Sequence, residues 1–284
     1  MAMTRRRRAW ATGRRGLLLG GGAVGVLLAL GLASLATHTD PSSGTVGPGR
    51  NPVIHYTDST SAPASTTTTS PKPATAEDQL NSLPAGDRAV AYAKGPEATV
   101  YPTPAVGTPS STLANPNSLG APLVFLVQSA VGNWLNVLLP QRPNGANGWI
   151  QAADVRLYSD DFNVVVHLTD HVLELYQSGR LIQSHEVAVG NGASPTPTGQ
   201  FYVTELVASD NPNGAYGPYA FGLSDFSNTY TEFDGGPGQI AIHGTDEPWV
   251  IGTSASHGCI RLQNSQLLVL VKVLPVGTPV TITA

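Results

Sequence analysis

The chain has 284 residues, enough for two small domains with apolar cores, and only 12% of its residues are charged, which disfavours long solvent-exposed helices. The net charge of −4 hides an asymmetry. Six arginines lie within residues 1–15, and after residue 36 nine Lys and Arg stand against nineteen Asp and Glu, a balance of −10. The part after residue 36 therefore offers no basic face for nucleic acid, and we expect no DNA or RNA partner.

Residues 16–36 form an apolar segment without a charged side chain, directly after the basic residues 1–15. A helix of this length spans a bilayer, and the positive charge on one side predicts a cytoplasmic N-terminus and an exported remainder. Two forms remain open: a cleaved signal peptide, in which "RRGLLL" resembles a twin-arginine export signal, and an uncut transmembrane anchor. Both forms place the remainder outside the cytoplasm, in the cell envelope, either secreted or anchored to the membrane through this segment.

Residues 37–88 are rich in Ser, Thr, Pro and Ala and lack apolar periodicity. Such a stretch buries too little apolar surface to offset the entropy cost of ordering it. It predicts a disordered linker, within which "DQLNSLPAG" could form one helical turn. The linker would hold a folded domain away from a membrane surface.

Residues 89–157 contain short β-branched and aromatic runs separated by Gly, Pro and Asn, which is typical of strands, and "RPNGANG" predicts a hairpin turn. One run in this part, "W-x-x-V-x-L-P … G-W-I", resembles a bacterial SH3-like barrel. Its matching positions are Trp134, Val137, Leu139, Pro140, Gly148, Trp149 and Ile150. Such a module would either bind the cell wall, position the rest of the protein, or act as a structural spacer.

Residues 160–284 predict a second unit, mostly β with one late helix. Phe162, Val164, Val166 and Leu168 alternate as on one face of a strand, and "QSGR" predicts a tight turn. Near the end of the chain, four apolar residues fall at helical spacing after a possible cap at Asn264 or Ser265. They are Leu267, Leu270, Val271 and Leu274.

A long segment without a clear strand pattern, residues 209–238, precedes the predicted strand "QIAIHG". It is rich in Gly, Asn, Ser and aromatic residues. Loops of this length in folded domains are usually functional or disordered, and the aromatic residues argue against plain disorder. We therefore expect a substrate lid or the wall of a cleft.

Cys259 is the only cysteine, so the chain forms no intramolecular disulfide. It lies in "SASHGCIRL", two residues after His257 and sixteen after His243, which ends "QIAIHG". A free thiol is mostly protonated near neutral pH, so a nucleophilic cysteine needs a neighbouring base or cation. His257 would lie on the same side of an extended segment, whereas His243 would reach the thiol if the two segments pair. A nucleophile, a metal ligand and an inert thiol all remain open at this point.

The motif "IHGT" followed by "SHGCIRL", with histidines fourteen positions apart, resembles the signature of the L,D-transpeptidase (YkuD-type) catalytic domain. "TPTGQF", "YGPYAFGLS" and the closing "GTPVTI" resemble the same family, so the similarity covers residues 160–284. The expected fold class is therefore mostly β: a small SH3-like barrel followed by a β-rich L,D-transpeptidase (YkuD-like) catalytic domain with one late helix.

The resemblance implies a role for each matching residue. Cys259 would be the nucleophile and His243 its base and later acid, with the imidazole oriented by the backbone carbonyl of Gly244. Three residues would shape the site, and the N–H groups of Gly258 and Cys259 are candidates for an oxyanion pocket. These three are Ser256, His257 and Gly258. Three more would bind substrate: Arg261, Tyr216 and Tyr219.

For Arg261 two hypotheses remain open, a bidentate grip on a substrate carboxylate and a salt bridge that fixes the loop.

The implied activity is that of a cysteine-dependent acyltransferase acting on peptidoglycan stem peptides. The thiol would attack the carbonyl that joins the third residue of a donor tetrapeptide to D-alanine, and D-alanine would leave. The amine of an acceptor stem would then complete a 3→3 cross-link, whereas attack by water would make the site an L,D-carboxypeptidase. The resemblance implies no metal and no cofactor. A non-catalytic wall-binding protein is a further alternative.

Two other classes of site use the same residue types. A zinc site would draw on His243, His257 and Cys259, with Asp246 or Glu247 completing the ligand set. A papain-like wall peptidase also pairs cysteine with histidine, but it places the cysteine first, whereas both histidines precede the cysteine here. The spacing favours the covalent acyltransferase over both.

Overall fold

The computed structural model describes residues 73–284. The basic end, the apolar segment 16–36 and residues 37–72 of the predicted linker lie outside the described residues, and the predictions made for them stay predictions. Within residues 73–284, neither α-helix combines the length and the apolar character needed to cross a membrane.

The last part of the predicted linker is folded. Helix α1, Ala76–Asn81, begins with a capping box in which the Thr75 hydroxyl accepts from the Asp78 N–H and the Asp78 carboxylate accepts from the Thr75 N–H. Ala76 is buried against the strands that follow, and Leu80 packs beside it. The folded region therefore begins before the predicted boundary at residue 89, because this short helix buries an apolar face.

Seven strands form the first module: β1 Arg88–Ala93, β2 Glu97–Val100, β3 Ser111–Ala114, β4 Val124–Val131, β5 Trp134–Leu138, β6 Asn147–Gln151 and β7 Val155–Asp160, with a 3₁₀ turn at Ala152–Asp154. Five of them pair antiparallel in the order β6-β5-β4-β1-β7, and β2 and β3 form a hairpin. That hairpin joins β6 through two backbone hydrogen bonds between Tyr101 and Trp149. The module is strand-rich, as the sequence predicts, and its likeness to an SH3-like barrel stays a prediction.

The second module contains ten strands and one helix: β8 Phe162–His167, β9 Val172–Gln177, β10 Arg180–Glu186, β11 Val189–Gly190, β12 Gly199–Ala208, β13 Tyr219–Phe226, β14 Gln239–His243, β15 Ser254–Ser256, β16 Ile260–Arg261, α2 Asn264–Val273 and β17 Pro279–Thr283, with a 3₁₀ turn at Pro248–Val250. Eight strands form a mixed sheet in the order β10-β9-β8-β17-β12-β13-β14-β16, and β11 pairs with β15. Helix α2 buries Leu267 and Leu270 in the core of this module. The prediction of a mostly β fold with one late helix is confirmed.

The segment 209–238 is not one loop. Residues Tyr219–Phe226 form β13, which pairs with β12 on one side and β14 on the other. The prediction of a continuous 30-residue loop is therefore wrong, because its middle completes the sheet. Two shorter loops remain, residues 209–218 and residues 227–238.

A buried boundary joins the two modules within one compact unit. Tyr202 of β12 is fully buried among apolar side chains of the first module, and its hydroxyl donates to the Val124 carbonyl at 3.0 Å. In the opposite direction, the hydroxyl of Tyr92 donates to the Val276 carbonyl at 2.8 Å. These two hydrogen bonds cross the boundary in opposite directions and hold the two modules together.

Candidate active site

Two short parallel strands bring the predicted histidine and cysteine together. β14 pairs with β16 in the register Ile242–Ile260 and His243–Arg261. The two isoleucines are buried in the core, so the alternate residues, including His243 and Arg261, lie on the other face of the pair. Cys259 directly precedes β16, and the backbone N–H of Ala241 in β14 lowers the pKa of its thiol. The pairing that would let His243 reach the thiol is present.

A cavity of about 420 Å³ opens on this face. His243, Cys259 and Arg261 line it together with side chains from both loops, among them Tyr216 and Tyr230. Its volume lies within the range of small-molecule and cofactor sites. The expectation that segment 209–238 walls a cleft thus holds for the two loops that β13 leaves.

Hydrogen bonds inside "SHGC" fix the turn that presents the thiol. Ser256 is fully buried, and its hydroxyl donates to the Cys259 carbonyl at 2.6 Å and accepts from the Gly258 N–H at 3.1 Å. Gly258 has φ +125°, and a Cβ there would lie 2.9 Å from Ile240 Cδ1, so the turn requires glycine. Because the Gly258 N–H is engaged inside the turn, its predicted place in the oxyanion pocket is not supported. The Cys259 N–H is the other predicted donor.

A second segment supports the turn from outside. The Ser194 hydroxyl donates to the His257 carbonyl at 2.7 Å, and the Thr196 hydroxyl donates to the Gly258 carbonyl at 2.7 Å. Both side chains are buried, and Thr196 also accepts from the Gly190 N–H at 2.9 Å. Each such bond contributes about 1 kcal/mol, and an unpaired buried carbonyl would cost more.

His243 is almost fully buried, with its side chain held in one orientation. Its Nδ1 lies 2.6 Å from the Gly244 carbonyl oxygen, and because a carbonyl only accepts, Nδ1 carries the proton and Nε2 keeps its lone pair. Burial first, and the Arg261 charge to a lesser extent, lower the pKa of His243 to about 4 against the opposing effect of the Gly244 hydrogen bond. The imidazole is therefore neutral near pH 7 and able to accept a proton.

The thiol of Cys259 is half-buried. Burial raises its pKa above the ordinary value, as does the charge of Asp225, whereas the Ala241 N–H and the Arg261 charge lower it. Burial has the largest effect, so the protonated thiol is the resting form. Together with the lowered pKa of His243, this describes a neutral thiol–imidazole pair rather than a thiolate–imidazolium pair.

Of the two hypotheses for Arg261, the salt bridge is present in the structure, and binding of a substrate carboxylate stays a prediction. Its Nη1 lies 3.0 Å from Glu247 Oε2, so the predicted salt bridge is present. Its side chain is only 15% exposed and lines the cavity, and its buried Nε has no hydrogen-bond partner among the described residues. The bridge holds the guanidinium in place with a donor still unused.

Of the two predicted substrate-binding tyrosines, only Tyr216 lines the cavity. Its ring centroid lies 4.9 Å from that of His243, and its hydroxyl donates to Asp234 at 3.2 Å. Burial and then the Asp234 charge raise the pKa of Tyr216 to about 12, which keeps the phenol neutral. Tyr219 instead lies in β13, paired with Ala208, and packs against the core, so its position does not support substrate contact.

His257 is exposed at the rim of the cavity, unlike His243. Its ring packs against Phe233 with centroids 5.4 Å apart and against Tyr230 at 6.1 Å. Both rings belong to the loop 227–238. His257 thus contributes an aromatic contact to the wall, in keeping with the site-shaping role implied for it.

A zinc site finds no support in the structure. Among residues 73–284, no three His, Cys, Asp or Glu side chains are grouped so that they could hold a metal ion. Glu247, one of the candidate ligands, pairs with Arg261 instead.

Comparison with known proteins identifies the second module. Residues 161–282 match the family model of YkuD, the L,D-transpeptidase catalytic domain. YkuD proteins of L,D-transpeptidase type from Bacillus licheniformis and Bacillus subtilis (strain 168) are 34% identical over 122 residues and 33% identical over 125 residues. The matches cover 43% and 44% of this chain and 66% and 68% of those relatives, so the chain spans about two thirds of their length. This chain belongs to the YkuD family of L,D-transpeptidase catalytic domains.

The chain also aligns with a solved structure, L,D-transpeptidase 3 from Mycobacterium tuberculosis in complex with a faropenem-derived adduct. The TM-score is 0.39 at 12% identity, and the alignment covers 57% of this chain and 91% of that chain.

Sequence patterns missed Asn264 as part of this YkuD site. It was expected to cap helix α2, but Gln263 takes that position and Asn264 begins the helix. The Asn264 Oδ1 accepts from the Thr245 N–H at 2.9 Å, and a Cβ at Gly217 or Gly244 would overlap it. Asn264 therefore fixes the backbone that follows His243 and packs it against the loop that carries Tyr216. An Asn before an apolar helix signals a cap more often than a tertiary contact.

The raised pKa of the Cys259 thiol predicts a pH profile for its alkylation. Iodoacetamide reacts with the thiolate, so modification of the folded protein should be slow at neutral pH and should still be accelerating above about pH 8.5, where an unperturbed thiol is half ionised. The alkylation rate is measured by intact mass from pH 5 to 10, with the urea-unfolded chain as control. A rate that is already maximal at pH 6 would contradict the neutral pair.

Proposed function

We propose that this chain is a peptidoglycan L,D-transpeptidase that forms 3→3 cross-links by acyl transfer through Cys259. The observation that carries the proposal is the pairing of β14 with β16, which puts a neutral, oriented imidazole and the only thiol of the chain at one cavity. Membership of the YkuD family supports the reaction type.

Acylation begins when the thiol sulfur attacks the carbonyl between the third stem residue and D-alanine. His243 Nε2 takes the thiol proton as the C–S bond forms, and the carbonyl oxygen becomes an oxyanion within reach of the Cys259 N–H. Because burial disfavours imidazolium, His243 readily returns this proton to the leaving nitrogen. The C–N bond breaks, D-alanine departs with a free amine, and the tripeptide remains on sulfur as a thioester.

Deacylation reverses these proton movements. The acceptor amine attacks the thioester while His243 Nε2 removes its proton, and the thiolate leaves and recovers that proton from the imidazolium. The product is a 3→3 cross-link between two stems. Water in place of the amine would give a free tripeptide, the product of an L,D-carboxypeptidase.

Substrate binding is assigned to the charged and aromatic lining of the cavity. Arg261 lines the cavity and is held there by Glu247, and its guanidinium is a cation suited to the terminal carboxylate of D-alanine. Tyr216 covers His243 and would limit the access of water to the imidazole.

The proposed substrate also suggests roles for the segments that precede the YkuD domain. Peptidoglycan lies outside the cytoplasmic membrane, which supports residues 16–36 as a signal peptide or anchor and residues 37–72 as a tether. The strand-rich module after them would be an SH3-like domain that positions the enzyme on the wall.

Product analysis tests the proposal. The protein is incubated with a disaccharide-tetrapeptide donor, with and without an acceptor stem, and the products are identified by mass spectrometry. A cross-linked dimer plus D-alanine is expected, whereas tripeptide plus D-alanine indicates a carboxypeptidase. No release of D-alanine would contradict both. A donor amidated at its C-terminus should react about tenfold less efficiently, because Arg261 then lacks a carboxylate to bind.

A further inference from the structure

We propose that Arg142 of the first module is a positioning residue that holds the cavity wall, the loop 227–238, in place beside Cys259. The expected effect on turnover rests on the proposed function, whereas the effect on the loop does not. This assigns the first module a part in shaping the active site, beyond wall binding or spacing.

The wall loop is closed at its neck. The Ser227 N–H donates to the Gly238 carbonyl at 2.8 Å, which joins the two ends of the loop. The Ser227 hydroxyl accepts from the N–H groups of Thr229 and Tyr230 at 3.1 and 3.0 Å. Few other backbone bonds hold the loop, apart from a pair between Phe233 and Gly236 at its tip.

Arg142 lies in the hairpin loop 139–146 between β5 and β6 and reaches across this neck. Its Nη1 donates to the Pro237 carbonyl at 2.8 Å, and its Nη2 donates to the Ser227 and Tyr230 carbonyls, both at 2.9 Å. The guanidinium carbon lies 4.8 Å from the centre of the Phe226 ring. One side chain thus binds both ends of the loop and its interior, which the planar fork of arginine allows and a single ammonium does not.

The same hairpin is anchored beside the neck by Asn144. Its amide donates to Asp225 Oδ1 at 2.6 Å and to the Phe226 carbonyl at 2.8 Å, and its side-chain oxygen accepts from the Phe226 N–H at 2.9 Å. Asp225 is fully buried, and burial raises its pKa to about 8. Asn144 therefore binds the backbone of Phe226 at the end of β13 and fixes the position of the hairpin that carries Arg142.

The loop 227–238 carries side chains that form the wall of the cavity, so its position affects substrate binding. Ser227, Tyr230 and Phe233 line the cavity, and the two aromatic rings pack on His257, two residues before Cys259. Arg142 itself does not line the cavity, so it acts through the loop. Without it, the loop would spend more time away from the cavity, and substrate affinity would fall in proportion to the lost competent fraction.

The test compares Arg142→Ala and Arg142→Lys with Arg156→Ala, an exposed arginine on β7 of the same module as matched control. Arg142→Ala should raise KM for the tetrapeptide donor about tenfold, with kcat and the Cys259 alkylation rate within about twofold of wild type. Chymotrypsin cleavage after Tyr230 or Phe233, located by mass spectrometry, should be about tenfold faster. For Arg142→Lys, KM and the cleavage rate should lie between those of Arg142→Ala and wild type. For Arg156→Ala, both should match wild type.

Unchanged loop cleavage and unchanged KM in Arg142→Ala would overturn the proposal. So would a parallel fall of kcat, alkylation rate and thermal midpoint in both Arg142 variants, because that pattern indicates general destabilisation. If the wild-type protein releases no D-alanine, the proposed function fails, and the cleavage comparison alone still decides whether Arg142 holds the loop.

Discussion

Replacement of Cys259 by serine is expected to reduce the release of D-alanine at least a thousandfold while leaving the fold intact. A serine hydroxyl is far less acidic than a thiol, and the neutral imidazole of His243 is too weak a base to compensate, so the covalent step is lost. The Ser256 hydroxyl bonds to the Cys259 carbonyl, not to its side chain, so the turn is retained in the variant.

The measurement is D-alanine release under saturating donor, with the thermal midpoint of unfolding as the control for folding. Cys259→Ala in parallel removes the possibility of slow attack by a serine oxygen. Turnover within tenfold of wild type in either variant, with an unchanged midpoint, would show that the thiol is not the nucleophile.

His243→Gln is expected to lower kcat by a factor of about 10²–10⁴, the usual contribution of a general base. Glutamine can still donate to the Gly244 carbonyl and fill the buried site, but it cannot accept the thiol proton and return it. The matched control is His257→Gln, which removes the histidine nearest in sequence. Because the His257 side chain is exposed and packs on aromatic rings of the wall, this variant should lose less than tenfold of kcat.

Steady-state rates for both histidine variants, combined with iodoacetamide alkylation at pH 9, separate loss of the base from damage to the turn. Alkylation at that pH needs only a thiolate, so it should be similar in both variants. A larger loss of kcat in His257→Gln than in His243→Gln would reverse the assignment of the base.

The site was predictable from the sequence as far as local motifs reach. The family resemblance of "IHGT" and "SHGCIRL" implies that Cys259 and His243 are partners, and the pairing of β14 with β16 brings their segments together. The Gly244 carbonyl also holds the imidazole as implied. These relations depend on residues close in sequence or on one strand pair.

The parts that were missed depend on contacts between distant residues. Strand β13 contains glycine and polar residues, so its pattern looks like a loop. Its Ser224 is buried because the hydroxyl accepts from the Tyr202 N–H, and its Asp225 is buried beside Asn144. Such partners, 22 and 81 positions away, leave no local signal.

The predicted oxyanion donors were also misjudged, because hydrogen bonds inside the folded turn are not visible in the sequence. "SHGC" offers two consecutive N–H groups, but the Ser256 hydroxyl engages that of Gly258. The supporting hydroxyls of Ser194 and Thr196 reach the turn from 63 and 62 positions away. The family resemblance implies which residue is the nucleophile, whereas the shape of its pocket follows from the packed fold.

The central claim is that the acyl group is carried on Cys259. The most direct test mixes the protein with the tetrapeptide donor in the absence of acceptor, quenches in acid after milliseconds to seconds, and measures intact mass and then peptide mass. A mass increase equal to the donor minus D-alanine, located on the peptide that contains Cys259 and absent in Cys259→Ser, is the predicted result. Release of D-alanine without any adduct in the wild type, together with undiminished release in Cys259→Ser, would contradict the account.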